Sequence, residues 1–210
     1  MQGSKQSLAV IILFTVLAGL TACAKATGAP SLVRVPASGM ASLSLRIGDV
    51  PLGSRLMVDL TPTNAQLPAI IHATAPDPSL ETLSRQAGSY RVFTYASEEP
   101  SVLNVTVRAV VEVDLFTTSD RSRRWMDERQ TDLAKTAGPL YPTGAPGQSH
   151  AVRLTSYHAG DIVATTTSLA FVDRNAYVEI TTTSVGPGIS VADPERFARL
   201  IAARLDHPAP

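Results

Sequence analysis

The stretch that decides the fold is residues 102–116, VLNVTVRAVVEVDLF. Apolar side chains occupy every second position, and most positions between them are polar or charged, including Glu112 and Asp114. A period of two is typical of a β-strand whose two faces meet different surroundings. The sequence therefore predicts a long strand here, which a bend near residues 108–110 could divide.

Shorter strand patterns flank this stretch on both sides. We expect strands before it at residues 41–47, 54–60, 69–75 and 90–96, and after it at residues 151–157, 162–172 and 176–184. The loop Asp173-Arg174-Asn175 joins the last two strands and suits a three-residue hairpin in which Asn175 takes a left-handed conformation. Because Val178 and Ile180 alternate with polar neighbours such as Glu179, we expect this antiparallel sheet to have one face in water.

Three other stretches carry signals for the start of a helix. Asp77-Pro78 and Asp193-Pro194 each place a capping residue before a proline, and Ser119 or Asp120 caps the third. We expect helices at residues 78–88, 119–137 and 194–206. Runs of strands followed by isolated helices predict an α+β fold, in which an antiparallel sheet packs with two or three amphipathic helices.

The composition argues against several classes of partner and site. Eighteen basic side chains balance eighteen acidic ones, so charge gives no reason to propose nucleic acid or an acidic membrane surface as a partner. Cys23 is the only cysteine, which leaves no thiol for a disulfide or a thiolate metal site if that cysteine is modified. The four histidines lack the spacing of metal ligands; they are His72, His150, His158 and His207. We therefore expect no metal and no cofactor.

The N-terminus has the organisation of a secretory signal. Lys5 precedes an apolar run at residues 8–20, which is shorter than the roughly 20 apolar residues of a membrane-spanning helix. The run ends in Leu20-Thr21-Ala22-Cys23, which resembles the lipobox of bacterial lipoproteins, an aliphatic residue and two small residues before a cysteine. The alternative is a plain secretory peptide with a cysteine near its cleavage site.

The lipobox resemblance implies a lipid anchor at Cys23. In such proteins the cysteine sulfur receives a diacylglyceryl group, the chain is cut before the cysteine, and the new amine is acylated, for example with palmitate. Two or more lipid chains hold a protein stably at a membrane. On this interpretation residues 1–22 are the signal peptide, residues 23–40 a flexible tether, and residues 41–207 a single α+β domain. The domain would lie outside the cytoplasm, anchored to the cell membrane.

The second half of the chain carries another resemblance. From Val111 onward the order is strand, capped helix, Gly/Pro loop, hairpin and amphipathic helix, and the residues that carry it are Tyr157, Thr165-Thr166-Thr167, Tyr177-Val178-Glu179-Ile180-Thr181-Thr182 and Ala192-Asp193. This order resembles the Lpq-type lipoproteins of mycobacteria and their relatives over about half of the chain. The resemblance implies a PsbP-like α+β fold, a location in an actinobacterial cell envelope, and binding of envelope lipids or protein partners without established catalysis.

Two groups of residues are candidates for a functional site. Trp125, Met126 and Leu133 fall on one stripe of the middle helix and could line an apolar cavity against the sheet, or they could be simple core. His158 and Asp161 could serve a hydrolase together with Ser149 or Ser156, or they could be ordinary turn polarity. The threonines at 165–167 and 181–183 could line a polar pocket, although a solvent-facing surface is the simpler interpretation.

Three hypotheses of function follow from these patterns. The first is a lipid-anchored cell-envelope protein whose non-catalytic domain binds an envelope lipid or a protein partner. The second is an envelope hydrolase that uses His158 and Asp161, although the chain lacks the G-x-S-x-G, S-x-x-K and H-E-x-x-H signatures. The third is an accessory or sensor subunit of an envelope complex.

Overall fold

The structure is a computed structural model that describes residues 34–71, 79–95, 105–133, 135, 144–159, 162–185 and 192–208. Its centre is one antiparallel sheet of six strands, with β3 and β6 in the middle and β1 and β4 at the edges. The strands are β1 Arg55–Leu60, β2 Arg85–Thr94, β3 Val105–Phe116, β4 Gln148–Ala159, β5 Ile162–Asp173 and β6 Ala176–Val185, in the spatial order β1-β2-β3-β6-β5-β4. The predicted α+β fold is confirmed.

Two long helices and three single turns of helix pack on this sheet. The helices in the described part of the chain are α1 Met40–Leu43, α2 Leu67–Ile70, α3 Ser79–Thr82, α4 Ser119–Leu133 and α5 Ala192–Asp206. Both long helices fall within stretches that carried a capping signal. Their apolar residues lie against the sheet, because α4 contributes Trp125 and Met126 and α5 contributes Phe197 and Ile201 to buried clusters.

The sheet is covered on both faces, so the predicted water-facing side is wrong for its central strands. One face, here called the α5 face, packs against α5 and the N-terminal segment in a core that includes Val113, Phe171 and Ile180. The opposite face, here called the α4 face, packs against α4 and the turns α2 and α3. On that face Tyr177 is 0% exposed and Glu179 is 7% exposed.

Several threonines of β5 and β6 are also buried by this covering of the sheet. Thr165, Thr167 and Thr182 are buried on the α5 face, together with Ser184. The Oγ1 atom of Thr106 on β3 meets Ser184 at 3.2 Å and donates to Asp193 near the start of α5 at 2.8 Å. Helix α5 therefore covers hydroxyls that the sequence alone assigned to solvent.

The first predicted strand, at residues 41–47, is wrong. Met40 and Leu43 are three residues apart, so the single turn α1 turns both into the core, and a 3₁₀ turn follows at Ile47–Asp49. Leu43 and Leu45 are both buried. Because they are two positions apart, their apolar side chains gave the sequence the alternation that is typical of a strand. The domain also begins earlier than residue 41, because Val35 within the predicted tether is 0% exposed.

The region before β2 also departs from prediction. The strand expected at residues 69–75 begins instead in the turn α2, where Pro68 occupies the first turn, and residues 72–75 lie outside the described residues. The helix expected at residues 78–88 is the single turn α3, after which Ser84 adopts a φ of 52° and β2 begins at Arg85. Gly88, at the end of the predicted helix, lies inside β2.

Asn175 ties the hairpin between β5 and β6 to the N-terminal segment. Its Oδ1 accepts from the Val35 backbone N–H at 2.8 Å, and its Nδ2 donates to the Val35 and Phe116 carbonyl oxygens at 3.3 and 2.8 Å. Asp173 pairs directly with Ala176, so the loop has two residues instead of three. The left-handed residue is Arg174, with a φ of 53°, and not Asn175 as predicted.

Candidate functional site

Two carboxyl groups lie side by side on the α4 face. Glu112 and Asp114 are two residues apart on the central strand β3, so they project from the same face of the sheet. Their exposed fractions are 4% and 0%. Buried carboxylates need a counter-charge and hydrogen-bond donors, and the neighbouring elements supply these unequally.

Asp114 is paired with Arg85 of β2. The Arg85 Nε donates to Asp114 Oδ1 at 2.7 Å, and Nη1 donates to the Pro62 carbonyl oxygen and to Asn64 Oδ1. The guanidinium lies directly over Gly88, where an added Cβ would come within 1.7 Å of Arg85 Nη2. Gly88 is therefore required for the close approach of this ion pair to the backbone of β2.

Glu179 of β6 is the most fully satisfied acid in the group. Arg129 Nη2 of α4 and the Tyr177 hydroxyl donate to its Oε2 at 3.0 and 2.6 Å, and the Ser168 hydroxyl donates to its Oε1 at 2.9 Å. Burial raises the pKa of Glu179, but the Arg129 charge and these hydrogen bonds outweigh burial and hold the pKa below its ordinary value. Glu179 is therefore an anion paired with a cation.

Glu112 has no such partner. Burial, followed by the nearby charge of Asp114, raises its pKa well above the ordinary value for glutamate. Glu112 Oε1 and Asp114 Oδ2 are both buried without a donor among the described residues. One proton held on Glu112 and donated to Asp114 answers both needs, so the raised pKa and the balance of charges both favour the neutral form of Glu112.

A cavity of about 200 Å³ opens beside Glu112. It is bounded by the end of α2, by α4 and by three strands, and its walls are lined by Ile70, Ile71, Tyr90, Val110, Glu112, Arg129, Leu133, Glu179 and Thr181. One side of the wall is aliphatic and the other carries the acids, the guanidinium and two hydroxyls. Such a combination of apolar wall and a few convergent polar groups is typical of small-molecule sites.

The three residues proposed from the helix stripe lie at and next to this cavity. Leu133 lines it, while Trp125 and Met126 are each 1% exposed in the buried cluster of the α4 face. The Trp125 ring meets Tyr177 edge to face, with ring centroids 6.4 Å apart and planes at 79°. Trp125 thus packs against the tyrosine that donates to Glu179. A role for the stripe in ligand binding stays a prediction.

Sequence reasoning missed the polar half of this site. Glu112 and Asp114 were noted only as the polar phase of a strand, Arg129 was not considered, and Glu179 was assigned to a solvent-facing side. The available signal was that charges of both signs recur inside strands and on the helix that follows. Charges are rare in the middle of a sheet unless they are paired.

Several other predicted site residues lie outside the described residues. These are Cys23 and Asp161, as well as the side chains of Ser149, His150, Ser156 and His158 on β4. Among the described residues, no group of three or more His, Cys, Asp or Glu side chains is placed to hold a metal ion. No helix within the described ranges combines the length and apolarity needed to cross a membrane.

The comparisons with known proteins yield a likeness of fold. No protein-family model matches the sequence. No curated protein matches it either. Among solved structures, the chain is similar to the extracellular domain of PknH from Mycobacterium tuberculosis, with a TM-score of 0.52 and 13% sequence identity over 83% of this chain and 98% of that one. At this identity the likeness shows a shared fold alone, and the resemblance to Lpq-type lipoproteins stays a prediction.

Proposed function

We propose that this chain is a lipid-anchored, extracytoplasmic binding protein without catalytic activity, and that its ligand site is the cavity between α4 and the sheet. The observation that carries this proposal is the composition of the cavity wall. Aliphatic side chains such as Leu133 line the same cavity as Glu112, a buried acid whose neighbouring guanidinium groups are already paired with Asp114 and Glu179. A buried carboxyl group that lines a cavity without a counter-charge of its own is a natural contact for a ligand.

The size of the cavity favours a small ligand. Its volume of about 200 Å³ lies below the roughly 300–1,000 Å³ of pockets that enclose drug-sized molecules. A whole diacyl lipid does not fit, whereas a compact metabolite or the headgroup of an envelope lipid does. If the ligand is an envelope lipid, the cavity therefore binds its headgroup and not the whole molecule.

The chemistry of the lining groups favours binding over catalysis. The Thr181 hydroxyl, a candidate nucleophile in the wall, donates to the Ser168 hydroxyl at 3.3 Å instead of to a base. Glu179 is already saturated by Arg129 and Tyr177. A nucleophile needs an adjacent base to become reactive, and this arrangement does not provide one at Thr181.

Two observations favour a location outside the cytoplasm. The sequence from Leu20 to Cys23 has the pattern of a lipidation site, and the similar solved structure is the extracellular domain of PknH. A domain that is tethered by Cys23 and binds a small ligand would suit a sensor or accessory subunit of an envelope complex.

Native mass spectrometry of the full chain, purified in detergent, tests the binding function. We expect a discrete bound mass on the wild type and its loss on Leu133→Trp, because the indole fills the cavity. Leu52→Trp is the matched control, since Leu52 is fully exposed. A bare mass for the wild type, or a bound mass that survives Leu133→Trp, would contradict the proposal.

Detergent partitioning of cells tests the anchor separately. Cys23→Ser removes the sulfur that would carry the diacylglyceryl group, so the chain should move from the membrane fraction to the soluble fraction. Equal membrane retention of the variant and the wild type would exclude lipidation at Cys23.

The edge strand β1 supports a second candidate function, the binding of a protein partner. Leu56, Met57 and Leu60 are 41%, 61% and 43% exposed along this strand, whose outer edge pairs with no other strand among the described residues. An extended segment of a partner could add a strand there. A photocrosslinker at Met57 should then capture proteins that a photocrosslinker at Arg124, an exposed position on α4, does not capture. Identical capture from both positions would argue against a partner at β1.

A further inference from the structure

The charges on the α4 face do not balance if every acid is ionised. Three buried carboxyl groups, those of Glu112, Asp114 and Glu179, face two buried guanidinium groups, those of Arg85 and Arg129. The ion pairs Arg85–Asp114 and Arg129–Glu179 use both cations, at 2.7 and 3.0 Å. Glu112 is therefore the one acid of this group whose ionisation requires a further positive charge.

Glu112 and Arg129 both line the cavity and are almost fully buried, with exposed fractions of 4% and 9%. Arg129 Nε is a donor without an acceptor among the described residues, and Glu112 Oε1 has no donor there apart from the proton shared with Asp114. A ligand that pairs with both residues needs a cationic donor and an oxygen acceptor in one small molecule.

The rest of the cavity wall fits a bare metal ion poorly. Ile70, Ile71, Val110 and Leu133 present aliphatic surface to the cavity. Hard metal ions prefer a shell of several oxygen ligands, which aliphatic groups cannot supply. An organic cation has carbon atoms to lay against this surface, and a primary ammonium group has three N–H donors that carboxylate and hydroxyl oxygens can accept.

We propose that the cavity binds a small primary amine that carries an oxygen acceptor close to its ammonium group, with the ammonium on the Glu112 carboxylate and the oxygen on the Arg129 guanidinium. This inference rests on the proposed binding function and names the ligand class of that site. Amino alcohols have this chemistry, and so does the ethanolamine headgroup of a phospholipid, whose ester oxygen takes the place of the hydroxyl. The hydroxyls of Tyr90 and Thr181 complete the polar wall.

Binding is an exchange of one cation for one proton. The ammonium group enters, the proton that Glu112 shares with Asp114 leaves to solvent, and the ionised Glu112 pairs with the ligand. The net charge of the site is unchanged. The other charged and titratable groups facing Glu112 are Tyr90 on β2, Asp114 on β3, Arg129 on α4, and Tyr177 and Glu179 on β6.

Calorimetric titration of the full chain in detergent, with ethanolamine as the probe, tests this exchange. We expect saturable binding, release of up to one proton, seen as a dependence of the heat on the ionisation enthalpy of the buffer, and an affinity that rises about tenfold per pH unit while Glu112 is protonated. Ethylamine, which lacks the oxygen, should bind at least several-fold more weakly, and ethylene glycol, which lacks the charge, should not bind.

Glu112→Gln is the decisive variant. Glutamine keeps the shape of the neutral acid and can donate to Asp114, so the fold should be retained while ethanolamine affinity falls at least tenfold. Glu128→Gln, an exposed acid on the same helix as Arg129, should bind as the wild type does. Equal binding by wild type and Glu112→Gln, or binding without proton release, would overturn the proposal.

A second arm of the experiment distinguishes the two sources of the amine. The chain is placed in phosphatidylcholine vesicles with or without phosphatidylethanolamine and titrated with ethanolamine. A weaker apparent affinity in the presence of phosphatidylethanolamine identifies the headgroup as ligand, whereas an unchanged affinity identifies a free amine. If ethanolamine fails to bind but native mass spectra show another bound mass, the amine inference falls and the binding function stands; a bare mass removes both.

Discussion

The central strands β3 and β6 bury different side chains on the two faces of the sheet. On the α5 face, alternate residues of these strands such as Val113 and Ile180 join an aliphatic core. The residues between them project to the α4 face, where Glu112 and Glu179 belong to a buried group of acids and guanidiniums beside a second apolar cluster. Apolar packing is non-directional, whereas a buried charge must find a partner with defined geometry. The α4 face therefore has stricter geometric requirements than the α5 face, and it holds the proposed site.

The largest expected effect tests the α5 face. Phe171 is 0% exposed in that core, and Phe171→Ala should lower the free energy of unfolding by about 3–5 kcal/mol, through lost burial and a cavity. The loss measured by urea unfolding should be the same at pH 5 and pH 8, because only apolar surface is involved. A strong dependence of the loss on pH would break the distinction between the faces.

A similar loss with a different pH profile is expected on the α4 face. Arg129→Met leaves Glu179 as an unpaired buried anion and should cost about 3–5 kcal/mol at neutral pH. The pKa of Glu179 is lowered in the fold, so its contribution is complete above the ordinary pKa of glutamate and is lost as pH falls through the folded value. The cost of Arg129→Met should therefore shrink in acid.

Arg124→Met is the control for that measurement. Arg124 is exposed on the same helix, and exchanging it should change the unfolding free energy by no more than about 0.5 kcal/mol at any pH. Equal effects of the two substitutions would show that the buried Arg129–Glu179 pair contributes no more to the free energy of unfolding than an exposed arginine does.

A smaller loss is expected where the ion pair crosses the backbone. Gly88→Ala places a Cβ within 1.7 Å of Arg85 Nη2 and 2.3 Å of Asp114 Oδ1, so the pair must shift, at a cost of about 1–3 kcal/mol. Gly48→Ala is the matched control, since no atom lies within 4 Å of the added Cβ there. Thermal unfolding of both variants checks this. An unchanged melting temperature for Gly88→Ala would contradict the close approach of the Arg85–Asp114 pair to Gly88.

The smallest expected effect is a gain. Because the folded pKa of Glu112 is raised, the folded state holds a proton that the unfolded chain has lost, and wild-type stability declines as pH rises from about 4.3 towards the folded pKa. Glu112→Gln removes this penalty and should be more stable than wild type at neutral pH. The two proteins should converge near pH 4, and a destabilised variant at neutral pH would contradict a neutral Glu112.

The sequence predicted those elements whose pattern and environment agree. Strand β3 and helices α4 and α5 follow from alternation, capping and helical spacing. The errors at residues 41–47 and 78–88 have one cause: Leu43 and Leu45, or Leu80 and Leu83, are buried by single turns, and so few residues cannot distinguish a turn from a strand or a full helix.

The candidate site was only partly accessible to the same reasoning. Leu133 was found from the helix stripe, but Glu112 and Arg129 became neighbours only when α4 packed on the sheet. A period of two separates the faces of a strand without saying which face will be covered. The charge balance of the site depends on that covering, so it required the tertiary structure.

The Asn175 side chain has a mechanical consequence. A pull on the N-terminus, as a membrane anchor would exert, enters the described domain beside Val35, whose N–H and carbonyl oxygen are both held by this one amide. The same amide also holds Phe116 on the central strand. Part of that force would thus pass from the N-terminal segment to β3 through this side chain, and Asn175→Ala should weaken the attachment of the segment under tension.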